Sequence, residues 1–243
     1  MPASGRGKRH STNVWPDSPP RGERRCAGGP ARVPVGTVSA LETTPDAEST
    51  AAVSPADADL LETVKKAAVE LKRAEIPFAL CGGWAVYARG GPRSEHDADF
   101  ALMEQDTPRA VDLLLAAGFV RDEEAPEDWL AKVWDRGNLV DLIFRLAGEP
   151  VTLDFFERVD HMEVGSVQMP VLAATDLVVT KLLTYRDHYC DFATSLPMVR
   201  ALREQVDWPS VRRRTARSPY AEAFVFLADR LGLTDRGTGD DRA

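Results

Sequence analysis

No stretch of this chain approaches eighteen consecutive apolar residues, and its N-terminus has no apolar segment of the kind that opens a signal peptide. Neither a membrane span nor export is expected, and the chain is read as cytoplasmic. Cysteine is scarce: Cys26, Cys81 and Cys190 are an odd set of three without a Cys-x-x-Cys pair, which fits a reducing compartment better than a secreted disulfide framework. Basic charge is not in excess either. With 30 Lys and Arg against 38 Asp and Glu, the formal charge of −8 offers no general attraction to phosphate backbones or anionic membranes. Contact with nucleic acid would need a local basic patch. The nucleotide signatures Gly-x-Gly-x-x-Gly and Gly-x-x-x-x-Gly-Lys-Ser/Thr do not occur, which argues against a Rossmann oxidoreductase or a P-loop NTPase.

What is present is ordinary globular material, 44% apolar and 28% charged over 243 residues. It is not spread evenly. Residues 1–55 hold eight of the seventeen prolines and six of the seventeen glycines, with no helical or strand period, and read as a disordered, solvated tail including the basic cluster "RGKRH". An amphipathic helix follows, capped by Ser54, with Pro55 at its first position and Leu60, Leu61, Val64, Ala68 and Leu71 on one face. "PFALCGG" predicts a short buried strand stopping at glycine, "WAVYARG" a helix, "HDADFALM" a strand, and "TPRAVDLLLAAGF" a helix capped by Thr107. "WLAKVW" and "LVDLIFR" predict two strands joined by the turn Asp135–Asn138. After "VGSVQMPVL" only helices are expected, starting at Ala174, Phe192, Pro209 and Pro219. The fold class is therefore α+β, with a core at 56–168, a helical C-terminal part at 169–233 and a disordered tail at 234–243.

The segment "CGGWAVYARGGPRSEHDADF" carries the chemistry. On a strand, residues i and i+2 face the same side roughly 6.5 to 7 Å apart, so Asp97 and Asp99 project together while His96 faces away. Like charges held so close call for a cation, and oxygen-only donors favour Mg²⁺ or Mn²⁺ over Zn²⁺. Gly82 and Gly83, at a strand-to-helix turn, let backbone N–H groups approach a phosphate. Asp141 interrupts the apolar run "NLVDLIF"; it is either a third carboxylate of the cluster or a strand-end residue facing water or an arginine. Arg93 and Ser94 lie where a phosphate contact or an exposed loop would both fit, and Lys181 either reaches phosphate or snorkels to solvent. Trp84 is read as a core residue, His161 and His188 as surface residues without metal spacing, and Arg212–Arg214 as a solvated face.

The glycine pair, the following helix and the Asp-x-Asp strand together resemble the polymerase-β-like nucleotidyltransferase superfamily, over about residues 80–145. Trp84 and "PRSEHDADF" are most similar to aminoglycoside and lincosamide nucleotidyltransferases and to uncharacterised small nucleotidyltransferases. The resemblance implies a mixed β-sheet flanked by helices, Gly82 and Gly83 at the triphosphate, Mg²⁺ on Asp97 and Asp99, and Asp141 as the third carboxylate. "DLVVTKLLTYRDHYCDF" is similar to a motif of the AbiEii-type nucleotidyltransferase toxins, which implies Lys181 on the nucleotide phosphates and Asp187 and Asp191 as site-organising residues. The expected activity is transfer of a nucleoside monophosphate from an NTP to a hydroxyl on a small molecule such as an aminoglycoside, or on a tRNA 3′ end. By the toxin comparison, an antitoxin-like partner is a further expectation. The rival reading is a catalytically idle protein of the same fold that binds nucleotide or a partner.

Overall fold

A computed structural model describes residues 55–94, 97–122 and 128–234. The tails expected at 1–55 and 234–243, except Pro55 and Thr234 at their inner ends, lie outside the described residues, as do the Ser54 cap and His96. Helix α1 (Pro55–Arg73) starts on its proline and buries Leu60, Val64, Ala67, Ala68 and Leu71. Strand β1 (Phe78–Cys81) is buried at all four positions and runs straight into α2 (Gly82–Ala88), whose first two residues are the glycine pair. Strand β2 (Asp97–Leu102) follows, with Ala98 and Phe100 fully buried between the two aspartates and beyond. In helix α3 (Thr107–Ala116) the N-cap position falls on Asp106, which makes no side-chain capping bond, rather than on Thr107, which is already helical and donates its hydroxyl to the Met103 carbonyl at 3.2 Å. The Thr-Pro pair fits both registers, and a preceding turn of 3₁₀ helix at Glu104–Asp106 selects the earlier one.

Strand β3 (Val120–Arg121) is short and lies at the sheet edge; β4 (Leu130–Asp135) and β5 (Asn138–Ile143) form the expected hairpin, closed by Arg136 and Gly137 at positive φ. A small ribbon, β6 (Arg145–Leu146) with β7 (Glu149–Pro150), stands apart from the main sheet. Strands β8 (Val159–Val164) and β9 (Val167–Leu172) complete the seven-stranded order β3-β4-β5-β2-β1-β9-β8. The sheet is mixed: β2 pairs antiparallel with β1 but parallel with β5, and β1 pairs parallel with β9. β9 runs across the boundary expected at 168/169, so the strands of the core continue to Leu172.

The C-terminal helices are α4 (Ala174–Leu183), α5 (Phe192–Leu202), α6 (Trp208–Thr215) and α7 (Pro219–Arg230), with α4 packed on α2 and on the other three. One compact unit holds all the described residues. Two arginines of the 212–214 run are ties rather than free surface charges. Arg212 meets Asp229 at 2.6 Å, and Arg214, together with Arg158, holds the buried carboxylate of Asp176 at 2.6 and 3.3 Å.

The far end of the sheet is locked by Asp135, which accepts from Thr63 at 2.8 Å, Lys66 at 2.6 Å and Arg136 at 3.2 Å. Burial alone would raise its pKa, but the hydrogen bonds from Lys66, Thr63 and Arg136 outweigh it and hold the carboxyl below its ordinary 3.8. Its contribution to stability is present above that value and is lost as pH falls through the lower folded pKa. Asp135→Asn should cost about 2 kcal/mol at pH 7. The difference from wild type should shrink as pH falls through that lowered pKa, below which both proteins carry a neutral group. Melting curves at pH 7 and pH 3 check this.

Candidate active site

The register of three strands builds the site. Cys81, the last residue of β1, pairs with Asp99 on β2, and Asp99 pairs in turn with Asp141 on β5. Asp97 sits two residues before Asp99 on the same face, so oxygens of Asp97, Asp99 and Asp141 all lie within 4.8 Å of one another. Asp141 is buried, whereas Asp97 and Asp99 are half-buried. Although Asp99 keeps a little exposed surface, burial against its neighbours is the first cause that pushes its pKa up, from 3.8 to about 8, followed by repulsion from Asp97 and Asp141. A hydrogen bond from the Gly83 backbone N–H opposes that rise.

The glycine pair gives these carboxylates room. Gly82 has φ +57, and a Cβ there would fall 1.7 Å from Asp99 Oδ2. A Cβ on Gly83 would fall 2.5 Å from the Cβ of Ser94, whose hydroxyl donates to Asp97 Oδ1 at 3.3 Å. The Gly83 N–H, expected to face phosphate, is aimed at Asp99.

Before this cluster opens a cavity of about 770 Å³. Gly82, Gly83 and Asp99 line one wall, Arg93 stands beside them, and Lys181 and Thr184 of the α4 region face in from the helical part. Arg93 donates to the Tyr87 hydroxyl at 2.9 Å and stacks on the Tyr87 ring with its guanidinium carbon 4.7 Å from the centroid. Lys181 has its ammonium 5.9 Å from the Tyr189 ring centroid and pairs with no carboxylate among the described residues. Asp187 and Asp191 do not line the cavity: Asp187 accepts from the Tyr220 hydroxyl, and Asp191 caps α5 through the Ala193 N–H at 2.9 Å. Trp84 is fully buried, as expected, and His161 and His188 are exposed.

Two cationic residues on the cavity wall escaped sequence reasoning. Arg145 comes from the β6–β7 ribbon and Arg186 from the segment after α4. Arg145 sits in no pattern of its own, and Arg186 lies inside the toxin-like motif, which implied roles only for Lys181, Asp187 and Asp191; the placement of the ribbon and of the segment after α4 brings them to the cavity.

A family model described as uncharacterised nucleotidyltransferase matches residues 47–236. The chain belongs to this nucleotidyltransferase family. The mixed sheet with flanking helices and a helical C-terminal part is the fold expected of it. No curated protein matches the chain. Solved structures similar to it include JHP933 from Helicobacter pylori, at 16% identity over 74% of this chain and 78% of that one, with a TM-score of 0.48. The antibiotic-resistance factor ANT(2″)-Ia is 14% identical over 73% and 96%, with a TM-score of 0.44. The lincosamide antibiotic adenylyltransferase LnuA, in a lincomycin-bound structure, is 12% identical over 60% and 94%, with a TM-score of 0.41. At such identities and scores nothing about substrate passes from these proteins to this family member. Among the described residues, no helix is long and apolar enough to cross a membrane.

The donor set suits a hard divalent cation. Three carboxylates converge, and burial, followed by repulsion from Asp97 and Asp141, pushes the pKa of Asp99 up to about 8. The nearby Cys81 thiol is pushed well up, first by burial and then by Asp99, so it adds no thiolate at neutral pH. Oxygen donors without thiolate favour Mg²⁺ or Mn²⁺.

Proposed function

We propose that this protein transfers a nucleoside monophosphate from an NTP, such as ATP, to an acceptor hydroxyl and releases pyrophosphate. The observation that carries the reading is the convergence of Asp97, Asp99 and Asp141 within 4.8 Å, with Asp99 lining a cavity whose walls also bear Arg93, Arg145, Lys181 and Arg186. Asp97 and Asp99 would hold Mg²⁺ or Mn²⁺, with Asp141 completing the set or acting as base. A divalent ion there supplies charge neutralisation to the triphosphate and to the incoming hydroxyl.

The chain's own groups do the rest. Gly82 and Gly83 form the surface on which the triphosphate lies, and Arg93 and Lys181, which line the same cavity, are the groups to meet its oxygens. The acceptor oxygen forms a bond to the α-phosphorus as the bond to the bridging oxygen breaks, the hydroxyl proton passes to Asp141, and pyrophosphate leaves. The acceptor is a small hydroxyl compound, an aminoglycoside among the candidates, or a tRNA 3′ end. The supply of NTP places the protein in the cytoplasm, and the toxin-like motif leaves room for an antitoxin-like partner.

Incubation with each labelled NTP and Mg²⁺ against total tRNA and a panel of aminoglycosides tests the reading. A labelled acceptor with stoichiometric pyrophosphate supports it. An NTP-dependent rise in melting temperature without pyrophosphate, for every acceptor, would point to the idle protein instead. Lys181→Ala should raise KM for NTP about tenfold and leave kcat nearly unchanged, because a lysine on ground-state phosphates stabilises substrate and transition state alike. An unchanged KM would remove Lys181 from the nucleotide site.

A further inference from the structure

Ser94 stands at the junction of the two halves of the site. Residues 91–94 cross back over α2 and touch it twice without slack. A Cβ on Gly91 would fall 2.4 Å from Val86 Cγ1 and 3.0 Å from the Val86 carbonyl oxygen, and a Cβ on Gly83 would fall 2.5 Å from Ser94 Cβ and 2.8 Å from Ser94 Oγ. Contacts that close leave the loop little freedom to slide along the helix. The half-buried Ser94 side chain therefore lies against the glycine turn, with its hydroxyl 3.3 Å from Asp97 Oδ1. A hydroxyl with one rotatable hydrogen that is directed at a carboxylate fixes which oxygen of that carboxylate stays free for another partner.

We infer that Ser94 is a positioning residue that sets the rotamer of Asp97 for metal and links that carboxylate to the glycine turn, rather than a direct ligand of the triphosphate. The inference rests on the metal-dependent reading of the cluster. Gly83 belongs to the same device, since the space that it leaves is filled by Ser94. The Gly83 N–H orients Asp99 while Ser94 orients Asp97, so one turn and the loop folded over it aim both carboxylates of the Asp-x-Asp pair. Partners that orient a ligand in this way are typically worth about 10- to 100-fold in metal affinity.

The test is Mn²⁺ binding to the full chain, followed by the loss of the free-ion electron paramagnetic resonance signal in the presence of a saturating non-hydrolysable ATP analogue. Ser94→Ala should weaken Mn²⁺ binding about tenfold. At saturating Mn²⁺ its KM for ATP should match wild type, and kcat should recover most of its value. A direct phosphate ligand would do the reverse, raising KM for ATP with Mn²⁺ binding unchanged, and that result overturns the inference.

Gly83→Ala drives its new methyl into Ser94 and should weaken Mn²⁺ binding as much as Ser94→Ala does. Adding Ser94→Gly to it should restore the melting temperature without restoring the metal. Strictly additive melting temperatures would show that Gly83 and Ser94 do not meet and would also overturn the inference. If the wild type takes up no Mn²⁺ even with the nucleotide analogue, the functional reading falls and this inference with it. If the wild type binds Mn²⁺ and Ser94→Ala binds it equally well, only the inference falls.

Discussion

Asp97→Asn and Asp99→Asn should each lower kcat/KM by at least ~100-fold, or ~2.7 kcal/mol, while the metal-free protein melts at the same temperature or higher. Asn keeps the shape and removes one negative charge, so it strikes at metal affinity and leaves packing alone. The stability side follows most clearly for Asp99. Its folded pKa of about 8 lies above the ordinary 3.8, so the folded protein keeps a proton that the unfolded chain gives up. The contribution is fully present below pH 3.8 and is lost as pH rises through about 8. The amide of Asp99→Asn has no such proton to lose. The advantage of this variant in melting temperature should therefore widen from acid to mildly alkaline pH in EDTA, and should narrow when Mn²⁺ is added to the wild type. Full activity in both Asn variants would end the nucleotidyltransferase mechanism for this protein and return the idle-fold reading.

The parts of this site that could be read from the sequence are those governed by the short periods of the chain. Alternation on one strand puts Asp97 and Asp99 on one face, and a glycine pair after an apolar run marks the strand-to-helix turn at Gly82. The contact of Asp99 with Asp141 is different in kind. It depends on β5 lying parallel beside β2 with these two residues in register, and nothing in the chain between them announces that pairing locally. Arg145 reaches the cavity only through the placement of a ribbon, which no local pattern marks, while Arg186 lies in the toxin-like motif but reaches the cavity through the placement of α4.

The missed elements have physical reasons too. β8 carries Asp160, His161 and Glu163 on exposed positions because it is an edge strand, and such a run lacks the apolar stripe by which strands are recognised. Its partner β9 crosses the expected 168/169 boundary because Val171 and Leu172 belong to the buried sheet next to β1 rather than to the helices. Asp187 and Asp191, for which the toxin resemblance implied a site-organising role, lie away from the cavity lining, where Asp191 caps α5 through the Ala193 N–H and Asp187 accepts from the Tyr220 hydroxyl.

Gly82→Ala should be as damaging as losing an aspartate, and for a separable reason. At φ +57 any side chain costs about 1 kcal/mol of backbone strain. The Cβ would also lie 1.7 Å from Asp99 Oδ2, 2.6 Å from its Cγ and 3.0 Å from its Cβ, so no rotation of the carboxylate alone relieves the clash. The whole Asp99 side chain must swing away from Asp97 and Asp141, which dismantles the cluster. A fall of at least ~100-fold in kcat/KM is expected, with weakened Mn²⁺ binding and a lower melting temperature. Gly90 supplies the control: it has φ +89 but nothing within 4 Å of the place a Cβ would take, so Gly90→Ala carries strain without a clash. It should melt lower than wild type and keep its kcat/KM within a few-fold. If Gly82→Ala merely matches Gly90→Ala in both measurements, Asp99 does not need the place that the structure gives it, and the three-carboxylate site is not where the chemistry happens.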